Sequence, residues 1–119
     1  DSWNYLFMDG TAVFNFTIQN VPILVNENLT KNNLDIKDVD QFIFHQANAF
    51  MLNFIRNRCK IPKEKFYINI ENIGNTVSNT IPIALKYAQE EGKIDKNKKI
   101  MLCGFGVGLS MGSVVLEIK

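Results

Sequence analysis

The sequence predicts an α/β domain, helices layered on a mixed sheet, with elements in the order α-β-α-β-α-β-β. Three observations carry this. Stretches with apolar residues at helical spacing alternate with short continuous apolar runs. Helical stretches separate the first three runs, whereas a glycine-rich loop alone separates the last two, which makes the final connection a hairpin-like turn. Finally, 119 residues that are 46% apolar and 21% charged suffice for one hydrophobic core but not for two.

Taken in order, Thr11 to Lys31 sets Val13, Phe14, Ile18, Val21, Leu24, Val25 and Leu29 at helical spacings, with Pro22 inside expected to kink the helix. Residues 34–40 are a polar connector, and Gln41 to His45 is a short buried strand. Asn48 is the N-cap of a helix reaching Cys59, with Met51, Leu52, Ile55 and Cys59 inward, and Ile61-Pro62 breaks it. Phe66 to Ile70 is the second strand. Ser78 or Asn79 caps a third helix, with Pro82 in its first turn and Ile81, Ala84, Leu85 and Ala88 on one face. Gly92 ends that helix in the left-handed C-terminal position. Lys99 to Cys103 and Met111 to Ile118 are the third and fourth strands, joined by the glycine loop.

Composition excludes several classes. A net charge of +1 gives no reason to expect nucleic acid or an anionic membrane as a partner. No run approaches the ~20 apolar residues of a membrane helix. No signal peptide is expected, because no basic segment leads into an apolar one at the N-terminus. Two cysteines, Cys59 and Cys103, are too few for a disulfide framework or a metal cage, so a reduced, cytoplasmic protein without a metal site is expected. The abundance of Asn, Lys and Ile fits an AT-rich bacterial genome. Lysines gather in 60–65 and 93–99, reading as a solvated face, with a docking patch for an acidic partner as the alternative. The chain opens in mid-pattern at Asp1-Ser2-Trp3, and a piece of a longer protein is expected.

Chemistry concentrates in three places: His45, then Asn75, then Gly104-Phe105-Gly106-Val107-Gly108, which follow one another at intervals of 30 and 29 residues. Each follows a strand-like run. Ligands of α/β sheets bind beyond the carboxyl ends of strands, so the three groups are expected to line one pocket. Singly, each has a plain structural reading: a core histidine, a Gly-Asn turn, a tight β-β connection. Together they supply side-chain and backbone N–H donors, the equipment that stabilises a developing oxyanion.

These residues resemble the C-terminal half of β-ketoacyl-ACP synthase III, a condensing enzyme of the thiolase superfamily. The matching pieces run nearly end to end: Met8-Asp9-Gly10, Val13-Phe14, Val21-Pro22, Asp40, His45-Gln46-Ala47-Asn48, Gly74-Asn75-Thr76, Lys93-Ile94, the glycine loop and Gly112-Ser113. The resemblance implies a thiolase-like half domain over residues 1–119. His45 and Asn75 resemble the active-site histidine and asparagine, which hydrogen-bond the thioester carbonyl of malonyl-ACP while carbon dioxide leaves. The loop of Gly106, Val107 and Gly108 resembles a second oxyanion site. The nucleophilic cysteine belongs to the N-terminal half, so this fragment alone is expected to be inactive.

The implied partners are that N-terminal half, acyl carrier protein, acyl-CoA and a second copy in a homodimer. No cofactor is implied, since substrates travel on coenzyme A and acyl carrier protein. Three positions depart from the pattern: Phe44 replaces a common proline, Val107 a common glycine, and Phe50 an arginine that contacts the carrier protein in many relatives. Asn48, Arg56 and Arg58 remain as weak candidates for carrier contact. Two alternatives stay open: acyl transfer on the same fold without decarboxylation, and a non-catalytic thiolase-like domain used for dimerisation or binding.

Overall fold

A computed structural model describes residues 9–106 and 108–119, so Met8 and Val107 lie outside the described residues. The four-stranded sheet has the order β2-β1-β3-β4, with β1 at Gln41–Phe44, β2 at Phe66–Tyr67, β3 at Lys99–Gly106 and β4 at Ser110–Glu117. β1 pairs in parallel with both β2 and β3, and β3 pairs antiparallel with β4, which is the expected mixed sheet.

Strand β1 shows why the layers form. Its side chains alternate across the sheet, and Phe42, Ile43 and Phe44 are all fully buried, so both faces must be covered. Phe42 and Phe44 join α1 (Gly10–Lys31) and α2 (Ala49–Cys59) through Val21, Val25, Leu52 and Ile55. Ile43 joins α4 (Thr80–Glu90) on the other face through Ala84 and Ala88. A short helix, α3, spans Ile70–Ile73.

Most helix ends follow the sequence expectation. Asn48 Oδ1 accepts from the Met51 N–H at 2.8 Å and starts α2. Gly92, at φ 72°, lets its own N–H and that of Lys93 reach the Gln89 and Ala88 carbonyls, closing α4 with paired C-terminal bonds.

Several expectations need correction. α1 starts at Gly10, one residue before the expected Thr11, and runs to Lys31 with Pro22 inside it. The connector before β1 contains a 3-10 turn at Ile36–Asp38. The second strand stops at Tyr67 instead of Ile70, because the Asn69 N–H turns to bond the Gln46 side chain and Ile70 begins α3. Neither Ser78 nor Asn79 caps α4 through its side chain. Instead, a 3-10 turn at Val77–Asn79 leads into that helix. β3 continues to Gly106, so Gly104 and Gly106 pair with Gly112 and Ser110 inside the ladder, and Gly108 and Leu109 turn into β4.

Candidate active site

His45 directly follows β1 and continues its pairing, its N–H donating to the Cys103 carbonyl at 2.8 Å. The half-buried ring packs edge-to-face with Phe105 of β3, centroids 5.4 Å apart at 79°. Its Nδ1 lies 2.5 Å from Thr80 Oγ1, at the first residue of α4. Burial pulls the imidazole below its ordinary pKa of 6.5, so it is neutral at pH 7. A neutral ring carries one N–H and one acceptor nitrogen.

Gln46 turns the other way and is 1% exposed. Its Nε2 donates to the Phe44 carbonyl at 2.7 Å and, more weakly, towards Tyr67 at 3.4 Å, while its Oε1 accepts from the Asn69 N–H at 3.0 Å. This one amide ties the carboxyl ends of β1 and β2 together. It also sets where the chain leaves β2 toward Asn75.

Gly74 makes the next step possible. At φ 82° and ψ −173° it sits in a region open essentially only to glycine, although nothing within 4 Å blocks a Cβ there. Asn75 follows with its side chain folded back so that Oδ1 accepts from the Val77 N–H at 2.9 Å. That bond settles the polarity of the amide: the oxygen is occupied and the NH2 faces outward as a donor. Nδ2 makes one long contact, 3.5 Å to the Ala47 carbonyl, and Asn75 is otherwise exposed. Residues 75–80 thus reach the 45–47 segment twice, through Asn75 to Ala47 and through Thr80 to His45.

The other candidates divide. Gly106 and Gly108 flank position 107, which lies outside the described residues, and only Gly108, at φ 137°, needs glycine's freedom beyond the strand. Asn48 is committed to its helix cap. Arg56 donates to the Ile61 carbonyl at 3.2 Å and lines a cavity of about 400 Å3 with Asn53, Lys63 and Asn69, to which His45 and Asn75 do not contribute. Arg58 is exposed and lies over the Phe54 ring at 5.6 Å. Phe50, 71% exposed, stacks on Phe14 with centroids 6.1 Å apart. Cys59 and Cys103 are both buried, which pushes each thiol up to about 12, so neither supplies a thiolate at neutral pH. No cluster of metal-ligand side chains occurs among the described residues, and no helix there is long and apolar enough to cross a membrane.

Sequence reading missed Gln46 and Thr80. A signal for Thr80 was present: it shares the buried i, i+4, i+8 stripe of α4 with Ala84 and Ala88, where a hydroxyl requires a partner.

A mixed sheet with helices on both faces, ending in an antiparallel hairpin, is the architecture of a thiolase-like half domain. The family described as 3-oxoacyl-[acyl-carrier-protein (ACP)] synthase III C terminal matches residues 29–118, and the chain belongs to that family. It is 43% identical over 110 residues to the β-ketoacyl-[acyl-carrier-protein] synthase III of Porphyra umbilicalis, covering 92% of this chain and 34% of that protein. The Clostridium perfringens enzyme of the same name is 38% identical over 117 residues, covering 98% and 36%. The crystal structure of β-ketoacyl-[acyl carrier protein] synthase III from Thermus thermophilus superposes with a TM-score of 0.92 at 34% identity, covering 98% and 36%. The chain thus spans about a third of the length of the curated relatives it matches.

Proposed function

We propose that this chain is the C-terminal domain of a 3-oxoacyl-ACP synthase III that performs a decarboxylative Claisen condensation. An N-terminal half supplies the nucleophilic cysteine, which takes an acyl group from acyl-CoA. The acyl-enzyme then condenses with malonyl-ACP. The supporting observation is the pair of neutral nitrogen donors, on His45 and Asn75, borne by two segments that touch at Ala47 and at Thr80.

Loss of carbon dioxide from a malonyl thioester leaves an enolate, whose oxygen needs donors already in place. One preorganised donor contributes about 2.7–4 kcal/mol to such a transition state. Asn75 offers an N–H because its oxygen is held by Val77, and His45, kept neutral by burial, carries one ring N–H. Two other features fit a domain that works inside a larger assembly. Val114 and Leu116 lie exposed on β4 at the sheet edge, where an N-terminal half or a homodimer partner can cover them. Both cysteines here are unreactive by burial, which fits a nucleophile from outside this chain. The reaction is cytoplasmic and needs no cofactor beyond the coenzyme A and carrier-protein thioesters. Carrier docking near α2 falls to Arg56 and Arg58, with Phe50 in place of a cation.

The test separates the two half-reactions in the complete protein. In His45→Ala and Asn75→Ala, acylation of the N-terminal cysteine is expected to persist. Carbon dioxide release from malonyl-ACP is expected to fall by roughly 10²–10³ in each. The two losses are expected not to add, since both donors serve one oxygen. Wild-type carbon dioxide release in both variants overturns condensation and favours plain acyl transfer.

A further inference from the structure

We propose that Thr80 is a positioning residue whose hydroxyl donates to His45 Nδ1, fixing the ring in the tautomer that carries its proton on Nε2. The inference rests on the proposed role of His45 as a donor and adds how that donor is selected.

Two threonines lie on buried helix stripes: Thr17 on α1, fully buried, and Thr80 on α4, 3% exposed. Thr17 satisfies its hydroxyl within its own helix, donating to the Val13 carbonyl one turn back at 2.8 Å. Thr80 is the first residue of α4 and follows the 3-10 turn at Val77–Asn79, yet its hydroxyl bonds no carbonyl of that turn. Among the described residues its hydroxyl meets one polar partner, His45 Nδ1 at 2.5 Å.

That single partner decides the direction of the bond. Were Nδ1–H the donor, the Thr80 proton would be left buried and unpaired, which costs about 1–3 kcal/mol. With the hydroxyl as donor, its proton is used, and only lone pairs on an oxygen go unfilled. Nδ1 is then the acceptor, and the neutral ring keeps its proton on Nε2. The edge of Phe105 against the imidazole restricts its rotation. A ring left to choose would spend part of its time with Nε2 bare, facing a carbonyl oxygen with a lone pair.

The test uses the complete protein and reads carbon dioxide release from malonyl-ACP beside acylation of the nucleophile. Thr80→Val keeps the shape and deletes the proton; decarboxylation is expected to fall about 10–100-fold, by analogy with the loss of the partner that orients a metal-ligating imidazole. Acylation is expected to stay within twofold. Thr80→Ser, which retains the hydroxyl, is expected to restore most of the rate. In a His45→Ala background, Thr80→Val is expected to cost nothing further, whereas a merely structural residue would still show its loss there. Should Thr80→Val fold poorly, Thr80→Ala gives the same readouts without a new methyl. Full decarboxylation in Thr80→Val or Thr80→Ala, alongside its collapse in His45→Ala, overturns the positioning role and leaves the donor role intact. An unaffected His45→Ala overturns both.

Discussion

Replacing Gln46 with Met tests the amide that joins β1 to β2. Methionine nearly matches glutamine in length and fills the same buried volume, so the loss is of polar contacts and not of packing. Two bonds matter. The Asn69 N–H, at a residue 7% exposed, loses its acceptor 3.0 Å away and becomes an unpaired buried donor, at about 1–3 kcal/mol. The Phe44 carbonyl loses a 2.7 Å bond of net worth about 0.5–1.5 kcal/mol. The 3.4 Å approach to Tyr67 is too long to contribute much. Destabilisation by about 2–4 kcal/mol follows, or a fall in melting temperature of roughly 4–16 °C at ~2–4 °C per kcal/mol. Thermal melts of the complete protein followed by circular dichroism measure it. Because the same amide anchors the chain leading to Asn75, carbon dioxide release is expected to drop even at temperatures where the variant is folded. A Gln46→Met protein that melts within 1 °C of wild type with full activity refutes the bracing argument.

Two further outcomes are expected. Gly74→Ala meets no steric contact, but it forces an L-residue into a glycine-only conformation. It is expected to cost about 1–3 kcal/mol and to depress decarboxylation through a misplaced Asn75, read by thermal melts beside carbon dioxide release. Cys59 and Cys103, with thiols pushed up to about 12, are expected to resist iodoacetamide at pH 9 in the folded protein and to label rapidly in urea, as mass spectrometry of their peptides will show. The sign for stability is the same: the raised folded values favour the protonated, folded form below pH 9, and that contribution drains away as pH climbs toward 12.

The helices and the parallel strands were legible because their signals are local. Met51, Leu52, Ile55 and Cys59 announce the buried stripe of α2 through spacing alone, and Asn48 announces its start. What misled was decided at a distance. Ile68-Asn69-Ile70 has strand composition, yet Gln46, more than twenty residues earlier, captures the Asn69 N–H and ends β2. Gly104 and Gly106 suggest a loop by composition, yet they face Gly112 and Ser110 across β3 and β4 and remain in the ladder. The candidate site divides along the same line. His45 and Asn75 are visible as a motif, whereas Gln46 and Thr80, which hold them, become apparent only when strand ends and helix starts are brought together.

The segment His45-Gln46-Ala47-Asn48 assigns one task to each residue. Gln46 braces the sheet, the Ala47 carbonyl meets Asn75, Asn48 caps α2, and His45 alone keeps a ring nitrogen without a partner among the described residues. On the other segment, Gly74 supplies the bend, Thr80 takes Nδ1 of the histidine, and Asn75 retains a nearly free NH2. Two uncharged donors are the outcome, and for decarboxylation their neutrality matters as much as their placement. In the proposed reaction the malonyl group arrives with a full negative charge on its carboxylate and ends with that charge on the thioester oxygen. A cation in the site would attract the carboxylate before reaction as well as the enolate after it, and interactions common to both states do not accelerate the step. Short-range neutral donors at one oxygen favour the state in which the charge has arrived there. Under the proposed function, burying His45 against Phe105 and tying the Asn75 oxygen to Val77 would provide the differential that decarboxylation requires.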